Sequence, residues 1–352
     1  MQEVRRAGIV SYRLGGADGV SIEAEKWAWA LERLGFDVHR IAGAGHGDTV
    51  EVISGLGIEH DGPVDEAALH RALANLDVVI VENLLSLPLN PAAGIAVASA
   101  LRHRPAILRH HDLAWHREDT AALGPPPDDD AWRHVAISHL GATELAEHGV
   151  SASVLYNRFA MDPPLGNRAK TRAKMGIAAT ERVVLQPTRA LRRKNIPLGL
   201  HLAESLGATY WLTAAAEDGF GTELESIMND AATKVLRGQG PGTMDDVYAA
   251  ADVVVLPSTW EGFGNPVIES VTHRRPLALA RYPVANELFD LGFAFFDPHS
   301  PDDLHKWLIA PDLGLLERNH AIARRHFDIE ELPGEIARLL REMGVISADE
   351  GV

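Results

Sequence analysis

The alternation of short apolar runs with helix-like segments most constrains the fold of this chain. Strand-like runs are predicted at Gly8–Tyr12, Asp37–Ile41, Val78–Val81, Ala106–Arg109 and His134–Ile137. The segment Ser21–Leu34, after the first of these runs, has helical spacing and ends at Gly35. Strands that alternate with helices are typical of a parallel sheet covered by helices on both faces. The first part of the chain is therefore predicted to be a doubly wound α/β domain.

The same pattern starts again after a break in the middle of the chain. Residues Phe159–Gly176 are rich in proline, glycine and basic residues, which is typical of a domain junction. Further strands are predicted at Val183–Gln186, Thr209–Thr213 and Asp252–Leu256, with helices at Leu198–Leu206 and Met244–Ala250. A chain of 352 residues is also long for one hydrophobic core. We predict an α/β protein with two Rossmann-like domains, 1–160 and 161–325, which face a central cleft, and a helical segment 326–352 that packs back toward the first domain.

Charge and composition restrict the partners. The chain has 33 Lys and Arg against 49 Asp and Glu, a net charge of −16. Nucleic acid and anionic lipid both require a basic surface, so neither nucleic-acid binding nor strong membrane binding is expected. Cysteine is absent, which excludes disulfides and is compatible with a reducing compartment. The start of the chain lacks the apolar region of a signal peptide, and no stretch approaches the roughly 20 apolar residues of a membrane span. We expect a cytoplasmic protein, and the sequence leaves a homo-oligomer open.

Two carboxylates lie around a predicted helix start in the second half. Glu261 and Glu269 are eight positions apart, and Pro266 between them suits the first turn of a helix. The strand Asp252–Leu256 precedes them, so they are expected at the carboxyl end of a strand, where a helix N-terminus favours an anion. Acids beside an anion site suit a nucleotide sugar, because the carboxylates accept hydrogen bonds from its hydroxyls while the helix N-terminus holds its phosphates. The alternative is structural: Glu261 caps the helix and Glu269 is a favourable first-turn charge.

A basic segment follows the strand Val183–Gln186. Arg189 and Lys194 are five residues apart, with more arginine between them, and they precede a predicted helix. Two cations near a helix start suit a diphosphate, because arginine binds it bidentately and lysine supplies a mobile charge. A solvated basic loop is the alternative interpretation.

Histidines cluster after the strand Ala106–Arg109. His110, His111, Asp112 and His116 suggest a metal site, but no two of these histidines have the i, i+4 spacing of a zinc-binding helix. Adjacent residues of an extended segment also point in opposite directions. No metal is therefore expected. A structural role and a sugar contact by a histidine that faces the cleft both remain open.

Two glycine-rich loops are the weakest of these features. Gly15 and Gly16 lie between the first strand and its helix, where glycine allows backbone N–H groups to approach a ligand. They do not fit the dinucleotide fingerprint G-x-G-x-x-G, which disfavours an NAD oxidoreductase. Gly240 lies in the loop Arg237–Gly242, where the backbone has room to pass close to a base. An ordinary turn explains either loop equally well.

The order of these features resembles a retaining glycosyltransferase of the GT-B fold, family 4 (group 1) type. The segment Asp252–Glu269 resembles that family's strand followed by its Glu-Gly-Phe-Gly…Glu motif, and Thr188–Lys194 its Gly-Arg…Lys segment. His111–Trp115, Gly15–Gly16 and Tyr156–Asn157 resemble its active-site histidine segment, its N-terminal glycine loop and the Asn before its interdomain linker. The resemblance covers nearly the whole chain and is clearest in the second half.

The resemblance implies a role for each matching residue. Arg189 and Lys194 would neutralise the leaving diphosphate, Glu261 and His111 would contact the donor sugar, and Glu269 would hold the ribose. Further donor contacts are implied at Gly15, Gly16, Gly240, Gly262, Phe263, Gly264 and Asn265. The implied reaction moves a sugar from a UDP- or GDP-linked donor, with retention and without a metal or other cofactor, to a hydroxyl of a small-molecule or glycoside acceptor.

Departures from the family pattern leave the donor nucleotide and sugar open. Thr188 and Arg274 stand where the family often has glycine, and Arg281–Glu287 replaces its usual Gly-Gly loop before an acid. Three alternatives to transfer remain. An epimerase is one, and a phosphorylase is another, although it requires a cofactor lysine that is not identifiable here. The third is a GT-B protein that binds a nucleotide sugar without catalysis.

Overall fold

A computed structural model describes residues 4–16, 18–47, 49–60, 62–117, 120–217 and 219–347. Two units are present: unit 1 comprises Met1–Arg158 together with Ile329–Val352, and unit 2 comprises Phe159–Asp328. Residues 1–3 of the predicted N-terminus, residue 17 of the first glycine loop and residues 348–352 of the predicted C-terminal segment lie outside the described residues.

Both units contain a parallel sheet. The strands are β1 Arg6–Leu14, β2 Asp37–Gly45, β3 Val50–Val52, β4 Val78–Glu82, β5 Ala106–His110, β6 Trp132–Ala136, β7 Ala152–Val154, β8 Val183–Gln186, β9 Thr209–Leu212, β10 Val235–Arg237, β11 Val253–Leu256 and β12 Leu277–Leu279. Within the described residues, unit 1 has the order β3-β2-β1-β4-β5-β6-β7 and unit 2 the order β10-β9-β8-β11-β12. Each order reverses once, between β1 and β4 in unit 1 and between β8 and β11 in unit 2. Ligands of doubly wound sheets bind at such reversals, beyond the carboxyl ends of the strands.

Helices follow most of the strands. They are α1 Gly19–Arg33, α2 Glu66–Leu73, α3 Pro91–Leu101, α4 His139–Glu147, α5 Arg168–Lys174, α6 Ile196–Ser205, α7 Gly221–Asn229, α8 Met244–Ala250, α9 Asn265–Thr272, α10 Ala285–Asp290, α11 Pro301–Ile309, α12 Leu313–Phe327 and α13 Leu332–Glu342. Short 3₁₀ turns occur at Ala114–His116, Ala121–Leu123, Arg192–Lys194 and Ile329–Glu331. Among the described residues, no helix is both long enough and apolar enough to cross a bilayer.

The strands that the sequence predicted are all present. Every residue of β4, β5, β8 and β11 is buried, as expected for strands covered on both faces. The sequence missed β3, β7, β10 and β12, which have three residues each and lie at the edges of the two sheets. Three residues are too few to show the alternation of apolar and polar residues that marks a strand. These edge strands are therefore recognisable only from their hydrogen bonds to the neighbouring strand.

The core of unit 1 is completed by the C-terminal helix. Leu332, Ile336 and Leu340 of α13 are at most 1% exposed and belong to one apolar cluster with Trp27 and Leu31 of α1. The apolar positions of α13 follow helical spacing, so one face of this helix is buried against α1. Unit 1 is thus built from two stretches of chain that are separated by the whole of unit 2.

Arg274 adopts a left-handed conformation just after α9, with φ of 51°. Glycine suits this position of a helix end, which explains why the resembling family often has glycine there. The side chain is 40% exposed and pairs with Glu317 at 3.0 Å, a contact of little energetic value at the surface. We expect R274G to be more stable to urea unfolding than R274A by about 1 kcal/mol, because both lose the ion pair but only alanine keeps the backbone strain. Equal stabilities would exclude strain at this position.

Candidate functional site

The predicted carboxylate and cation segments of unit 2 meet where its sheet order reverses. The Arg192–Lys194 turn follows β8, and Glu261 follows β11, the neighbouring strand. Lys194 Nζ binds Glu261 Oε1, and Arg193 Nη1 binds Glu261 Oε2 at 3.1 Å. Arg193 also donates to the Trp260 carbonyl at 3.0 Å, and Gln186 Nε2 donates to the Lys194 carbonyl at 2.9 Å. One carboxylate therefore binds two cations at the carboxyl end of the sheet.

Burial makes this ion pair electrostatically significant. Lys194 is 8% exposed and Glu261 is 6% exposed. Burial alone would raise the pKa of the Glu261 carboxyl, but Lys194 and Arg193 outweigh it and hold that pKa below its usual range. Burial lowers the pKa of the Lys194 ammonium; Glu261 opposes this, and the nearby charges of Arg193 and Arg189 add to the lowering. An anion bound here would meet cations that are already ordered and partly desolvated.

Arg189 lies nearer the surface than Lys194 and does not join its contact with Glu261. Its guanidinium is 39% exposed and pairs with Glu217 at 2.8 Å, beyond the end of β9. Its charge still influences Lys194. Arg189 would have to exchange the Glu217 carboxylate for a phosphate to bind the predicted diphosphate directly.

Glu269 is held by an aromatic side chain of a neighbouring helix. The Tyr248 hydroxyl on α8 donates to Glu269 Oε2 at 2.7 Å. Burial and the Glu269 carboxylate both raise the pKa of Tyr248, so the phenol keeps its proton and remains the donor. Tyr248 stacks on His273 at 4.5 Å between ring centroids, and His273 Nε2 lies 3.0 Å from Asp245. The orientation of the Glu269 carboxylate is therefore fixed from α8.

The segment between the two carboxylates is tightly packed at the start of α9. Gly264 precedes the helix with φ of 96°, and a side-chain carbon there would lie 2.4 Å from the Tyr282 hydroxyl. Only glycine fits both requirements. Phe263 is buried against Phe327, with ring centroids 5.7 Å apart, while Gly262 and Asn265 are half-buried. This packing fixes the helix N-terminus, whose dipole favours an anion, beside Glu261.

In unit 1, His111 follows β5 and binds the end of β4. His111 Nε2 lies 2.7 Å from Glu82 Oε2, and Arg109 Nη1 lies 2.6 Å from Glu82 Oε1. The Asn83 side chain accepts hydrogen bonds from the backbone N–H groups of His111 and Asp112, at 3.0 and 2.9 Å. The loop that carries His111 is thus fixed by its neighbour β4, which adjoins β1 at the reversal of the sheet order.

The other histidines of this segment bind elsewhere. His110 Nε2 lies 2.9 Å from His134 Nδ1, and His116 Nε2 lies 2.6 Å from Glu144. His110 and His111 point to opposite neighbours, β6 and β4, as predicted for adjacent residues of an extended segment. Within the described ranges, no three His, Cys, Asp or Glu residues are grouped to hold a metal ion.

The buried histidine pair makes stability depend on pH. Burial, and then the charges of His134 and His111, hold the pKa of His110 well below its usual value. The unfolded chain therefore binds a proton below about pH 6.5 that the folded chain does not. We expect the free energy of unfolding to fall as the pH decreases from 7 to 5, by at most about 1.4 kcal/mol per pH unit for this residue.

Urea unfolding at several pH values measures this dependence. H110F is the control, because it keeps a flat ring next to His134, which lies 5.1 Å away between centroids in the wild type. The variant should lose less stability than the wild type over the same pH range. Identical slopes for the two proteins would contradict the assignment.

Local geometry explains the glycines of both glycine-rich loops. Gly15 has φ of 76°, and a side-chain carbon there would lie 2.2 Å from the His46 carbonyl oxygen. Gly15 and Gly16 also line a pocket of about 560 Å³ with residues of α1, including Lys26 and Trp29. A side-chain carbon at Gly240 would lie 2.6 Å from the Trp211 ring. Glycine is therefore required at Gly15 and Gly240 by the local backbone and packing.

Comparisons with known proteins agree with this arrangement. Residues 167–310, all within unit 2, match the family model of glycosyl transferases group 1. Mannosylglucosylglycerate synthase of Thermotoga maritima is 24% identical over 95% of this chain and 99% of its own length. The synthase of the same name from Petrotoga mobilis is 26% identical over 81% of this chain and 85% of its own length.

A solved structure shows the same fold over almost the whole chain. Anabaena HepE in complex with UDP-glucose superposes with a TM-score of 0.76 at 19% identity, covering 96% of this chain and 99% of its own. The chain has the GT-B fold, and its residues 167–310 match glycosyl transferases group 1. The predicted α/β fold with two Rossmann-like domains is confirmed, as is the resemblance to GT-B glycosyltransferases.

Three residues next to the predicted site were missed in the sequence. Glu82 ends β4 after four apolar residues, so its place at a strand end was the available signal. Arg193 is one of several cations before α6, and sequence alone did not show which of them binds Glu261. Tyr248 is a buried residue of a correctly predicted helix, and its contact with Glu269 depends on how α8 packs beside α9.

Proposed function

We propose that this chain is a retaining, metal-independent glycosyltransferase that uses a UDP- or GDP-linked sugar. Unit 2 would bind the donor, and unit 1 would bind the acceptor. The observation that carries the proposal is the buried contact of Lys194 and Arg193 with Glu261 beside the start of α9. This arrangement combines cations for a diphosphate with a carboxylate for sugar hydroxyls.

Each residue of this cluster has a role in the proposed reaction. Lys194 and Arg189 would neutralise the diphosphate as it leaves, and Arg193, which the sequence analysis did not single out, would assist them. Lys194 is already ordered by Glu261, so it would stabilise developing negative charge without a metal ion, whereas Arg189 would first have to leave Glu217. Glu261 would accept hydrogen bonds from sugar hydroxyls, and Glu269, oriented by Tyr248, would hold the ribose.

The remaining predicted residues would complete the donor site. Backbone N–H groups of the segment from Gly262 to Asn265 would contact the sugar or phosphate, and Gly240 would lie near the base. From unit 1, His111 would contact the donor sugar, while Gly15 and Gly16 would lie near the diphosphate. In the proposed step the bond from the anomeric carbon to phosphate breaks and a bond to the acceptor oxygen forms on the same face. The acceptor proton passes to the leaving phosphate, so the protein supplies mainly positioning and electrostatics.

The relatives suggest the acceptor. Their name gives the product mannosylglucosylglycerate, in which a mannosyl group is attached to glucosylglycerate. We propose that this chain likewise transfers a hexose, mannose first among the candidates, to a small anionic glycoside such as glucosylglycerate. A small soluble acceptor also agrees with the expected absence of strong membrane binding.

The direct test is a transfer assay with glucosylglycerate and either GDP-mannose or a UDP-hexose. The expected product is a mannosylated or hexosylated acceptor that keeps the anomeric configuration of the donor, formed equally well with EDTA present. Thermal shift with UDP and GDP separates the donor nucleotides, because a bound ligand stabilises the folded state. Conversion of the donor without an acceptor product would indicate an epimerase. Absence of a thermal response to either nucleotide would overturn the proposal.

A further inference from the structure

A buried cluster of charged side chains surrounds His111 in unit 1. The Glu82 carboxylate contacts His111 Nε2 at 2.7 Å and Arg109 Nη1 at 2.6 Å. Arg109 Nη2 also lies 3.8 Å from Glu23, and Glu23 pairs with Lys26 at 2.5 Å. The side chains of Glu82, Arg109 and Glu23 are at most 2% exposed. His111 therefore belongs to a fixed ionic network, in contrast to a histidine on a free loop.

Glu82 is the carboxylate of this network that contacts His111 directly. Burial alone would raise the pKa of Glu82, but Arg109 and the hydrogen bond from His111 outweigh it, so this carboxyl stays ionised.

Glu82 therefore determines which ring nitrogen of His111 carries the proton. An ionised carboxylate only accepts hydrogen bonds, so the proton of a neutral His111 is on Nε2. Nδ1 is then the acceptor of the ring. No residue within the described ranges donates a hydrogen bond to His111 Nδ1, and the side chain is 7% exposed.

The backbone of His111 is fixed from the same strand end. Asn83, next to Glu82, has φ of 61°, a conformation that asparagine tolerates better than most residues. Its side-chain oxygen accepts the N–H groups of His111 and Asp112. Backbone strain of this kind is often found at functional sites. Glu82, the last residue of β4, and Asn83, which follows it, thus hold the ring and the main chain of His111.

We propose that Glu82 is a positioning residue that fixes the neutral tautomer of His111 with Nδ1 as the acceptor for a donor-sugar hydroxyl. The hydroxyl as ligand rests on the proposed function, whereas the tautomer rests only on the contacts within unit 1. Glu82 acts through His111 and does not touch the sugar itself. The sequence points to His111 but to no residue that orients it.

Nitrogen NMR of protein labelled with ¹⁵N-histidine tests the tautomer at pH 8 without any donor. The His111 signals are identified by their loss in H111Q. We expect protonated Nε2 and unprotonated Nδ1 in the wild type, and loss of that preference in E82Q, whose amide is able to donate as well as accept. The matched control is E23Q, which neutralises an acid that contacts Arg109 but not His111, and it should keep the wild-type tautomer. A wild type protonated on Nδ1, or an E82Q spectrum like that of the wild type, would overturn the proposal.

Transfer kinetics test the consequence of the tautomer. We expect kcat of E82Q to fall roughly ten- to hundredfold, the range for groups that orient a functional histidine, and kcat of E23Q to fall less than about threefold. In the H111Q background, E82Q should lower kcat no further, because its effect passes through His111. An additive loss would show that Glu82 acts by another route.

Different results would contradict the proposed function and the proposed role of Glu82. A wild-type protein that transfers no sugar but has the expected tautomer contradicts the proposed function and leaves the role of Glu82 in orienting His111 intact. Active protein with the opposite tautomer contradicts only the assignment of Glu82.

Discussion

K194M should transfer sugar roughly 10²–10³-fold more slowly than the wild type at saturating donor. Removal of one preorganised group that stabilises developing charge usually has an effect of this size. Lys194 is buried and already paired with Glu261, so no solvent cation or flexible neighbour takes its place. Initial rates measured well below the unfolding temperature separate this loss from any loss of folded protein.

The same substitution should lower the free energy of unfolding by about 2–3 kcal/mol. A buried charge that loses its only partner costs about 3–5 kcal/mol, and here Arg193 still contacts Glu261 at 3.1 Å. The matched control is R192M, two residues earlier in the same segment. Arg192 is 62% exposed and pairs with Glu223, so its loss should change both rate and stability little. Similar losses in the two variants would favour the alternative of a solvated basic loop.

R109M should destabilise the protein by about 3–5 kcal/mol at pH 7, the cost of leaving a buried ionised group uncompensated. Arg109 is 1% exposed, lies between Glu82 and Glu23, and has its guanidinium carbon 4.4 Å from the centre of the Trp27 ring. Methionine restores part of the packed volume but none of the charge. Urea unfolding at constant pH measures the loss.

The pH dependence of R109M identifies the cause. In the wild type the pKa of Glu82 is lowered, so its contribution to stability is present above the unfolded value near 4.3 and is lost as the pH falls. Without Arg109, burial should raise that pKa above the unfolded value, and the contribution should then grow as the pH falls. The variant is expected to regain stability relative to the wild type between pH 7 and pH 5. The double variant R109M with E82Q should be more stable than R109M at pH 7; if it is not, the loss comes from packing.

The central strands were predictable because burial on both faces leaves a signature in composition. Val183–Gln186 has the predicted bounds, and β4 and β11 each differ from theirs by one residue. Their β-branched, apolar residues follow directly from helices that cover both sides of the sheet. The three-residue edge strands follow from pairing with a neighbour, which is absent from local sequence.

The sequence predicted which segments form the site but not which side chains contact each other. Strand ends placed Lys194, Glu261 and His111 at the correct edges of their sheets. The partner of each side chain depends on which strands adjoin. The members of the pairs Lys194–Glu261 and His111–Glu82 are 67 and 29 positions apart, so sequence spacing did not reveal them. The left-handed backbone of Arg274 was likewise found only in the structure.

The two-part construction of unit 1 has a consequence for synthesis on the ribosome. Residues of α13 that bury Trp27 and Leu31 are translated only after the whole of unit 2. Unit 2 is continuous in sequence and has all its core residues available first, so it can finish folding while unit 1 still exposes an apolar face of α1. The part made first is completed last, and during that interval the exposed apolar face of α1 is prone to aggregation.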